Sequence, residues 1–455
     1  MVSEPSGRPG ARSPAQWRNW AGDQRCRPAA IERPGSIAEI AQALERAAAR
    51  EECVRVVGSG HSFSDIALTD GRMLSLERMT RVLAVDRDAG RVRVQAGITI
   101  RELNARLAEH GLALENLGDI DVQSVAGAIC TATHGTGARL RNIPAQVVAL
   151  TLVLADGSTL ECAAEGDAEL LRAARVSLGA LGVIAEVTLR CVPAFRLQGI
   201  DRPAPLEETL ARFEELSLAN DHFEFYVFPH ARTALTRTNN RTEQPARPRG
   251  RAAAYADDVL LTNHAFELFC RLGRRLPAQI PRINRLVTRL AGASRRVERS
   301  DRIFASPRLV RFTEMEYALP RERTVEAVRR VLALVEGDGG SAPRFAVPFP
   351  IEVRTVAPDD ALLSTATGRE SGFVAVHMYR GMEWEPYFRA VAAAMDELGG
   401  RPHWGKRHFA TAATLRARYP EWERFQAVRA RLDPGGRFAN AYTDRVFGPV
   451  EADRE

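Results

Sequence analysis

Lysine is nearly absent from this chain of 455 residues. Of its 63 lysine and arginine residues, all but Lys406 are arginine. Lysine is a compact charge whose proton affinity the surroundings can tune, whereas arginine stays charged. A lysine that stands against this background is therefore a candidate for chemistry, with chance retention as the alternative.

Long apolar runs and paired cysteines are also missing. No stretch reaches the roughly 18 apolar residues of a membrane span, and the first residues lack the apolar core of a signal peptide. The six cysteines are scattered, and none forms a C-x-x-C pair, which argues against a zinc site and a disulfide framework. We therefore predict a cytoplasmic protein without a metal site or a transmembrane segment, with peripheral membrane association as the alternative.

The overall composition is that of a globular protein, with 45% hydrophobic and 26% charged residues and a net charge of +6. Residues 1–16 are rich in Pro, Gly, Ser and Arg, which predicts a disordered tail. Basic clusters lie at 247–251 and 271–296. Such clusters can contact nucleic acid or acidic lipid. No RNA-binding motif or zinc-finger spacing accompanies them, so we interpret them as solvated surface and predict no nucleic-acid partner, with a basic nucleic-acid binder as an alternative function.

Short helices and strands alternate over the first 195 residues, which predicts an α+β domain. A helix is expected from Ile37, capped by Ser36, followed by a strand at 53–57 and a helix at 100–110. Later strands are expected at 223–227 and 311–317, and two more between 346 and 378. The region 410–432 reads as helices broken at Tyr419-Pro420.

Three glycine-rich segments, at 58–62, 118–137 and 177–184, favour a cofactor cradle over plain tight turns. In the first, Gly58-Ser59-Gly60-His61-Ser62 follows an apolar strand, and its glycines let backbone N–H groups approach a pyrophosphate. A nicotinamide Rossmann motif would need a third glycine where this chain has Phe63.

Polar residues alternate with apolar ones on two of the later predicted strands. Glu352 and Arg354 are two residues apart and therefore share one face of their strand. His377 shares a face with Phe373 and Ala375 on the other. If both strands belong to one sheet, Glu352, Arg354 and His377 converge; a surface ion pair beside a core-edge histidine is the alternative.

Four segments together, at 58–67, 127–137, 349–354 and 402–408, resemble the sugar-1,4-lactone oxidoreductases, which are flavoproteins of the vanillyl-alcohol-oxidase (PCMH) type. The resemblance runs from residue 17 to 446. It implies a two-domain α+β fold, with an FAD-binding PCMH-type domain at 17–195. A substrate (cap) domain at 196–455 would be built on an antiparallel sheet, and its last helices would return to the first domain.

The resemblance also implies FAD as the cofactor. His61 would carry it covalently through the flavin 8α-methyl carbon; the alternative is a histidine that only hydrogen-bonds within the turn. His134 is expected to organise the backbone beside the flavin rather than to act as an acid or base. The residues expected to bind the cofactor are Gly58, Ser59, Gly60, His61, Ser62, Gly118, Ser124, Gly127, Thr131, Thr133, His134, Gly135, Thr136, Gly182 and Ile184.

The implied reaction is oxidation of an aldono-1,4-lactone at C2, with hydride passing to flavin N5. Arg354 and Lys406 would stabilise the developing negative charge. Glu352, expected to be ionised between them, would bind substrate hydroxyls. By the resemblance, Glu352, Arg354 and His377 meet Lys406 at this site. The base that takes the hydroxyl proton is left open among Glu352, Lys406 and His377.

The predicted electron acceptor is O₂, because a small residue, Gly118, falls where the resemblance places the flavin edge. A dehydrogenase that passes electrons to a cytochrome or another acceptor is the alternative, and an alditol oxidase is a further one. A flavin-binding protein without turnover is the alternative outside the enzyme class. The sequence does not indicate an oligomeric state.

Overall fold

The computed structural model describes residues 16–247, 250, 263–306, 308–337 and 344–450. The predicted tail at 1–16 lies outside this part except for Gln16, and the basic cluster at 247–251 lies outside it except for residues 247 and 250. Helices and strands alternate along the described chain, which confirms the predicted α+β class.

A small parallel sheet stands near the start of the chain. Helix Ile37–Ala48 makes the crossover that parallel strands need, and the Ser36 hydroxyl caps it as predicted. The last strand of this sheet ends at Val57, directly before the first glycine-rich turn, so the sheet fixes where that turn begins. In spatial order the strands are Ala30–Glu32, Arg72–Ser75 and Val54–Val57.

A five-stranded antiparallel sheet follows. Helices Ile100–Glu109, Val125–Cys130 and Ala168–Arg175 accompany it, and side chains from both sheets and all three helices share one apolar core. Thr99 begins the first of these helices with a capping box, and Ser124 caps the second. In spatial order the strands are Thr159–Ala163, Val147–Val153, Val183–Arg190, Arg91–Gln95 and Val82–Asp86.

The largest sheet has eight antiparallel strands. Four helices cover one face of it and share an apolar core with it: Leu206–Ala211, Phe213–Ala219, Thr324–Glu336 and Glu385–Glu397. In spatial order the strands are Ser294–Arg299, Arg196–Pro205, Thr233–Arg241, His222–Val227, Ile351–Val356, Ser371–Tyr379, Phe312–Pro320 and Arg401–Pro402.

The period of two along these strands separates the two faces of the sheet. Ile351 and Val353 point into the helix-covered core, as do Val374 and Val376 on the neighbouring strand. The residues between them therefore point to the other face. That face carries buried polar side chains, namely Glu224, Glu314, Glu316, Glu352, Arg354 and His377.

Three C-terminal helices return to the N-terminal half of the chain. They are Ala412–Arg416, Trp422–Leu432 and Ala441–Phe447, and their apolar side chains belong to the core of the first two sheets. Backbone and side-chain hydrogen bonds join the two chain ends: Val54 N–H donates to the Arg437 carbonyl (2.8 Å), and Arg55 Nη1 to that of Phe438 (2.6 Å).

Small elements complete the described chain. None of its helices has both the length and the apolar character needed to cross a bilayer. The remaining strands are Trp17–Arg18, Arg25–Cys26, Leu112–Ala113 and Val192–Pro193. The remaining helices are Phe266–Arg275, Ile280–Leu290 and Ser300–Phe304, with 3-10 turns at Ile143–Gln146, Pro277–Gln279 and Arg321–Arg323.

Candidate active site

A cavity of about 400 Å³ opens beside the first glycine-rich turn. The two N-terminal sheets and the helix Val125–Cys130 bring its walls together. Its size falls within the range of small-molecule and cofactor sites. The predicted cofactor-binding residues that line it are Gly58, Ser59, Gly60, His61, Ser62, Ser124, Gly127, Thr131, Gly182 and Ile184.

Glycine is required at two points of this wall. Gly60 has a φ of +68°, a left-handed conformation that side chains rarely adopt. A Cβ added to Gly58 would lie 2.1 Å from the Ser124 hydroxyl oxygen, which accepts the Gly127 N–H at 3.2 Å. The first turn and the start of the helix therefore touch without room for a methyl group.

Gly58→Ala is expected to lower the free energy of unfolding by about 1–2 kcal/mol, since the Ser124 cap must move away. FAD retention should fall with it, because both contacts line the cavity. Denaturant unfolding and the ratio of flavin to protein absorbance measure the two effects. Gly292→Ala is the matched control, because its Cβ meets nothing within 4 Å. Equal behaviour of the two variants would contradict the close contact.

The His61 ring lines this cavity, and its surroundings favour the neutral form. Burial, with the positive charges of Arg311 and Lys406, lowers the pKa of His61 to about 4. The ring stacks on Trp20, with centroids 5.2 Å apart and an interplanar angle of 23°. A neutral imidazole has a free nitrogen lone pair, which a covalent bond to carbon requires.

Five predicted cofactor residues are not among the described residues that line this cavity: Gly118, Thr133, His134, Gly135 and Thr136. They lie where the N-terminal half meets the eight-stranded sheet. The Thr136 hydroxyl donates to the Phe223 carbonyl (2.6 Å), and Gly137 N–H donates to that of Thr355 (2.8 Å). The segment also reaches the cavity, because Gln123, which lines it, donates to the Thr133 hydroxyl oxygen at 3.3 Å.

His134 and Gly118 have specific neighbours at that junction. His134 Nε2 lies 3.3 Å from Glu316 Oε1, and its ring packs against the tilted ring of Phe373 with centroids 3.8 Å apart. A Cβ added to Gly118 would lie 3.2 Å from the His134 carbonyl oxygen. A side chain at this position would press on the His134 carbonyl, which is a reason for glycine here that is independent of O₂ access.

The four predicted catalytic residues come together on the polar face of the large sheet. Arg354 contacts the Glu352 carboxylate directly. His377 Nδ1 donates to the Pro350 carbonyl (3.2 Å), which turns Nε2 towards Glu314 (3.6 Å) and Glu352 (4.0 Å). Lys406 approaches from a separate segment, and its Nζ donates to Glu314 Oε2 at 2.5 Å.

The segment that carries Lys406 also joins this cluster to the glycine-rich turn. Phe63 N–H donates to the Gly405 carbonyl (2.7 Å), and the Ser64 hydroxyl donates to that of Trp404 (3.1 Å). The Lys406 ammonium lies 5.3 Å from the centre of the Phe63 ring. The cavity wall and the polar cluster are therefore one continuous structure.

The electrostatics of the cluster separate Glu352 from the other groups. Burial raises the pKa of Glu352, and the charges of Asp119 and Glu224 add to this against the opposing effect of Arg354. Burial also acts on Glu314, but Lys406 and His377 outweigh it and lower its pKa. Of the two cations expected beside Glu352, Arg354 contacts it, whereas Lys406 pairs with Glu314 instead.

Lys406 and His377 are two groups of the cluster that are stabilised in their protonated forms. Burial lowers the pKa of Lys406, but Glu314 and Glu316 outweigh it, so the pKa lies above its ordinary value. His377 behaves alike, because Glu314 and Glu352 outweigh burial and raise its pKa. Both groups are thereby stabilised as cations.

Sequence reasoning missed the carboxylates that surround these cations. Arg354 Nε donates to Glu224 Oε2 (3.0 Å), and its Nη2 lies 3.3 Å from Asp119 Oδ2. Glu314 and Glu316 were missed as well. A signal existed: Glu224 and Glu316 stand between apolar or aromatic neighbours on predicted strands, and Glu314 lies two residues before Glu316, the period that places both side chains on one face.

Two groups of three buried side chains have ligand atoms within 4.8 Å of one another: His134, Glu316 and His403, and Glu314, Glu352 and His377. Such donor sets can hold a transition metal. Here the ammonium of Lys406 already pairs with Glu314 and acts on Glu316. A fixed positive charge beside both groups disfavours a second cation.

Comparison with known proteins gives concordant results. A profile of the family described as D-arabinono-1,4-lactone oxidase matches residues 187–446, and one described as FAD binding domain matches residues 28–163. The chain is 53% identical over 436 residues to an L-gulono-1,4-lactone dehydrogenase of Mycobacterium tuberculosis, with 95% of this chain and 99% of the relative covered.

More distant relatives cover the chain as fully. L-gulonolactone oxidase of Bos taurus is 37% identical (95% of this chain, 98% of the relative), and an alditol oxidase of a Streptomyces species is 33% identical (93% and 97%). A crystal structure of cholesterol oxidase from B. sterolicum superposes with a TM-score of 0.82 over 98% of this chain and 99% of that one. At 16% identity this likeness shows the fold alone.

Proposed function

The chain belongs to the D-arabinono-1,4-lactone oxidase family, and from that membership we propose that it oxidises an aldono-1,4-lactone at C2 with FAD as cofactor. One observation carries the proposal. A cluster of the buried residues Glu352, Arg354 and His377 with the half-buried Lys406 adjoins a cavity walled by glycine turns, and His61 lines that cavity. D-Arabinono- and L-gulono-1,4-lactone are the substrates we expect.

The cavity has the features that FAD requires. Its glycine turns offer backbone N–H groups to a pyrophosphate. The side-chain oxygen of Gln123, another lining residue, is buried without a hydrogen-bond partner in the described part of the chain. We propose that the ten lining residues named above hold the cofactor. When bound, FAD supplies the ring that accepts a hydride from the substrate.

The neutral state of His61 supports a covalent bond to this cofactor. His61→Ala is therefore expected to remove the bond while the remaining wall still binds FAD. Acid precipitation of the wild-type protein should leave a yellow pellet, and the variant should release its flavin into the supernatant. A colourless wild-type pellet would contradict the bond. Trp20→Leu, which removes the stacked ring but not the imidazole, is the control and should keep the pellet yellow.

The proton of the substrate hydroxyl goes, in this proposal, to Glu352. Lys406 and His377 are stabilised in their protonated forms and are poor acceptors. The ordinary pKa of a glutamate carboxyl lies well below neutral pH, so Glu352 is the candidate that can be ionised there. Its raised pKa makes the carboxylate a stronger base. Arg354 and Lys406 then stabilise the charge that develops on the substrate oxygen.

The two relatives differ in the electron acceptor that their names imply. The Mycobacterium tuberculosis protein, at 53% identity, is named a dehydrogenase, and the Bos taurus protein, at 37%, is named an oxidase. O₂ is the acceptor predicted from the sequence. The name of the more similar of these two relatives favours the alternative, an acceptor such as a cytochrome. The compartment we propose is the cytoplasm, which suits six unpaired cysteines.

Anaerobic mixing with the lactones tests the proposal. We expect L-gulono- or D-arabinono-1,4-lactone to bleach the flavin absorbance, and open polyols such as xylitol to bleach it far more slowly. Admission of air then tests the acceptor, because only an oxidase recovers its colour within a few turnovers. Flavin that no lactone reduces would overturn the proposal, and faster reduction by polyols would favour an alditol oxidase, as in the Streptomyces relative.

A further inference from the structure

A helical hairpin stands at the edge of the molecule, formed by Phe266–Arg275 and Ile280–Leu290 with the 3-10 turn between them. Its inner side is firmly anchored. Asn284 is fully buried, and its side-chain amide donates to the carbonyls of Pro229 (3.1 Å) and Val347 (3.0 Å). The hairpin therefore presents its outer side in a fixed orientation.

Leucines collect on that outer side. Eight large apolar side chains are exposed in the described part of the chain, and six of them lie on this hairpin or beside it. Leu268 and Leu290 are 65% and 68% exposed. Spacings of four place the leucines of each helix on one face. The six are Leu268, Leu272, Leu276, Leu286, Leu290 and Leu309.

Exposed arginines lie among these leucines in the sequence of the hairpin. Between Phe266 and Leu290 there are six arginines, all exposed, and a single acidic residue. That residue, Glu267, is engaged by Arg271 Nε (2.9 Å) and by the Tyr379 hydroxyl (2.7 Å). Exposed leucines among exposed arginines are typical of helices that lie in a membrane interface. The six arginines are Arg271, Arg274, Arg275, Arg282, Arg285 and Arg289.

A second cavity of about 400 Å³ opens against the same hairpin. Leu309 and Glu267 line it together with five arginines, so its wall carries a large excess of positive charge. A guanidinium group binds phosphate oxygens with two parallel hydrogen bonds. The cavity thus has the chemistry of a phosphate-bearing headgroup site. The five arginines are Arg271, Arg274, Arg275, Arg311 and Arg380.

We propose that the hairpin docks on a membrane surface rich in anionic phospholipid, with the leucines inserted and a lipid headgroup in the arginine-lined cavity. A second copy of the chain fits this face less well, because the two sets of arginines would repel each other. A soluble anion would fill the cavity but leave the leucines exposed to water. The proposal is independent of the lactone chemistry.

Vesicle flotation with the FAD-loaded full chain tests it. We expect the protein to float with vesicles of phosphatidylcholine that contain about one third phosphatidylglycerol, and to stay behind with pure phosphatidylcholine. Raising the salt should weaken the binding, since ions screen the arginines. Inorganic phosphate or glycerol phosphate should compete only weakly. Failure to float with anionic vesicles at low salt would overturn the proposal.

Paired substitutions distinguish insertion of the leucines from nonspecific electrostatic attraction to the vesicle. Leu268→Gln with Leu290→Gln should lower vesicle binding about tenfold or more, at unchanged lactone turnover. The matched control is Leu83→Gln with Leu218→Gln, because these leucines are 39% and 38% exposed elsewhere on the surface. Arg275→Gln with Arg285→Gln should also weaken binding. Equal vesicle binding by the two double-leucine variants would contradict insertion. If the wild-type protein instead forms a dimer, does not bind vesicles, and becomes monomeric in the Leu268→Gln, Leu290→Gln variant, the face belongs to self-association.

Discussion

Lys406→Ala is expected to lower the rate of flavin reduction by the lactone about a hundredfold. The ammonium is the fixed cation nearest to Glu314, at 2.5 Å, and it also acts on Glu316. Without it, the substrate oxygen would develop negative charge beside carboxylates that have lost their counter-charge. Stopped-flow absorbance under anaerobic conditions measures the step directly.

Two variants show whether the lower rate of flavin reduction results from removing the positive charge of Lys406. Lys406→Arg restores a cation and should recover part of the rate, whereas a purely structural role would give no recovery. Arg407→Ala alters the neighbouring side chain, which pairs with Asp23 outside the cluster, and should keep the wild-type rate. Reduction of Lys406→Ala at the wild-type rate would remove this residue from the catalytic assignment.

Glu352→Gln is expected to have the second large effect, a loss on the order of a hundredfold to ten-thousandfold in flavin reduction. The amide keeps the shape of the side chain but cannot accept the hydroxyl proton. Since the pKa of Glu352 is raised, the wild-type rate should rise with pH along an acid limb whose midpoint lies above the ordinary carboxyl value. The residual rate of the variant should lack that limb. A variant that keeps it would place the base on another residue.

The stability of the same variant provides an independent readout. A carboxyl whose pKa is raised by folding binds its proton more tightly in the native state than in the unfolded state. Its contribution to stability is complete at low pH and is lost as the pH rises through the native pKa. Glu352→Gln removes this contribution, so its free energy of unfolding should vary less with pH over that range. Urea unfolding at a series of pH values measures the difference.

The local pattern of the sequence predicted which candidate catalytic side chains share a face. Alternation alone places Glu352 with Arg354, and the strand register sets Glu352 opposite Ala375, two residues from His377. The family resemblance is confirmed by the comparisons, and with it FAD as the cofactor. These conclusions rest on short-range periodicity and on motifs, both of which one sequence carries.

The partners of the cluster could not be predicted in the same way. Glu224 faces Arg354 and Glu314 faces His377 because strands far apart in sequence pair in one register. That register is decided by the packing of the whole sheet. The segment from Thr133 to Thr136 illustrates the converse problem, since its threonines suit a cofactor wall and a tight junction equally well. The Thr136 hydroxyl contacts the eight-stranded sheet, and the role of the segment in cofactor binding stays a prediction.

The hydrogen bonds that join Val54 and Arg55 to residues 437 and 438 have a consequence for biosynthesis. The amino-terminal half is the first to leave the ribosome, yet its apolar core includes Tyr442, Val446 and Phe447. The core of this half therefore cannot form completely until the C-terminal helices have been synthesised. A truncated translation product should be a substrate for chaperones and proteases rather than a half-sized flavoprotein, and loading of the cofactor should follow chain termination.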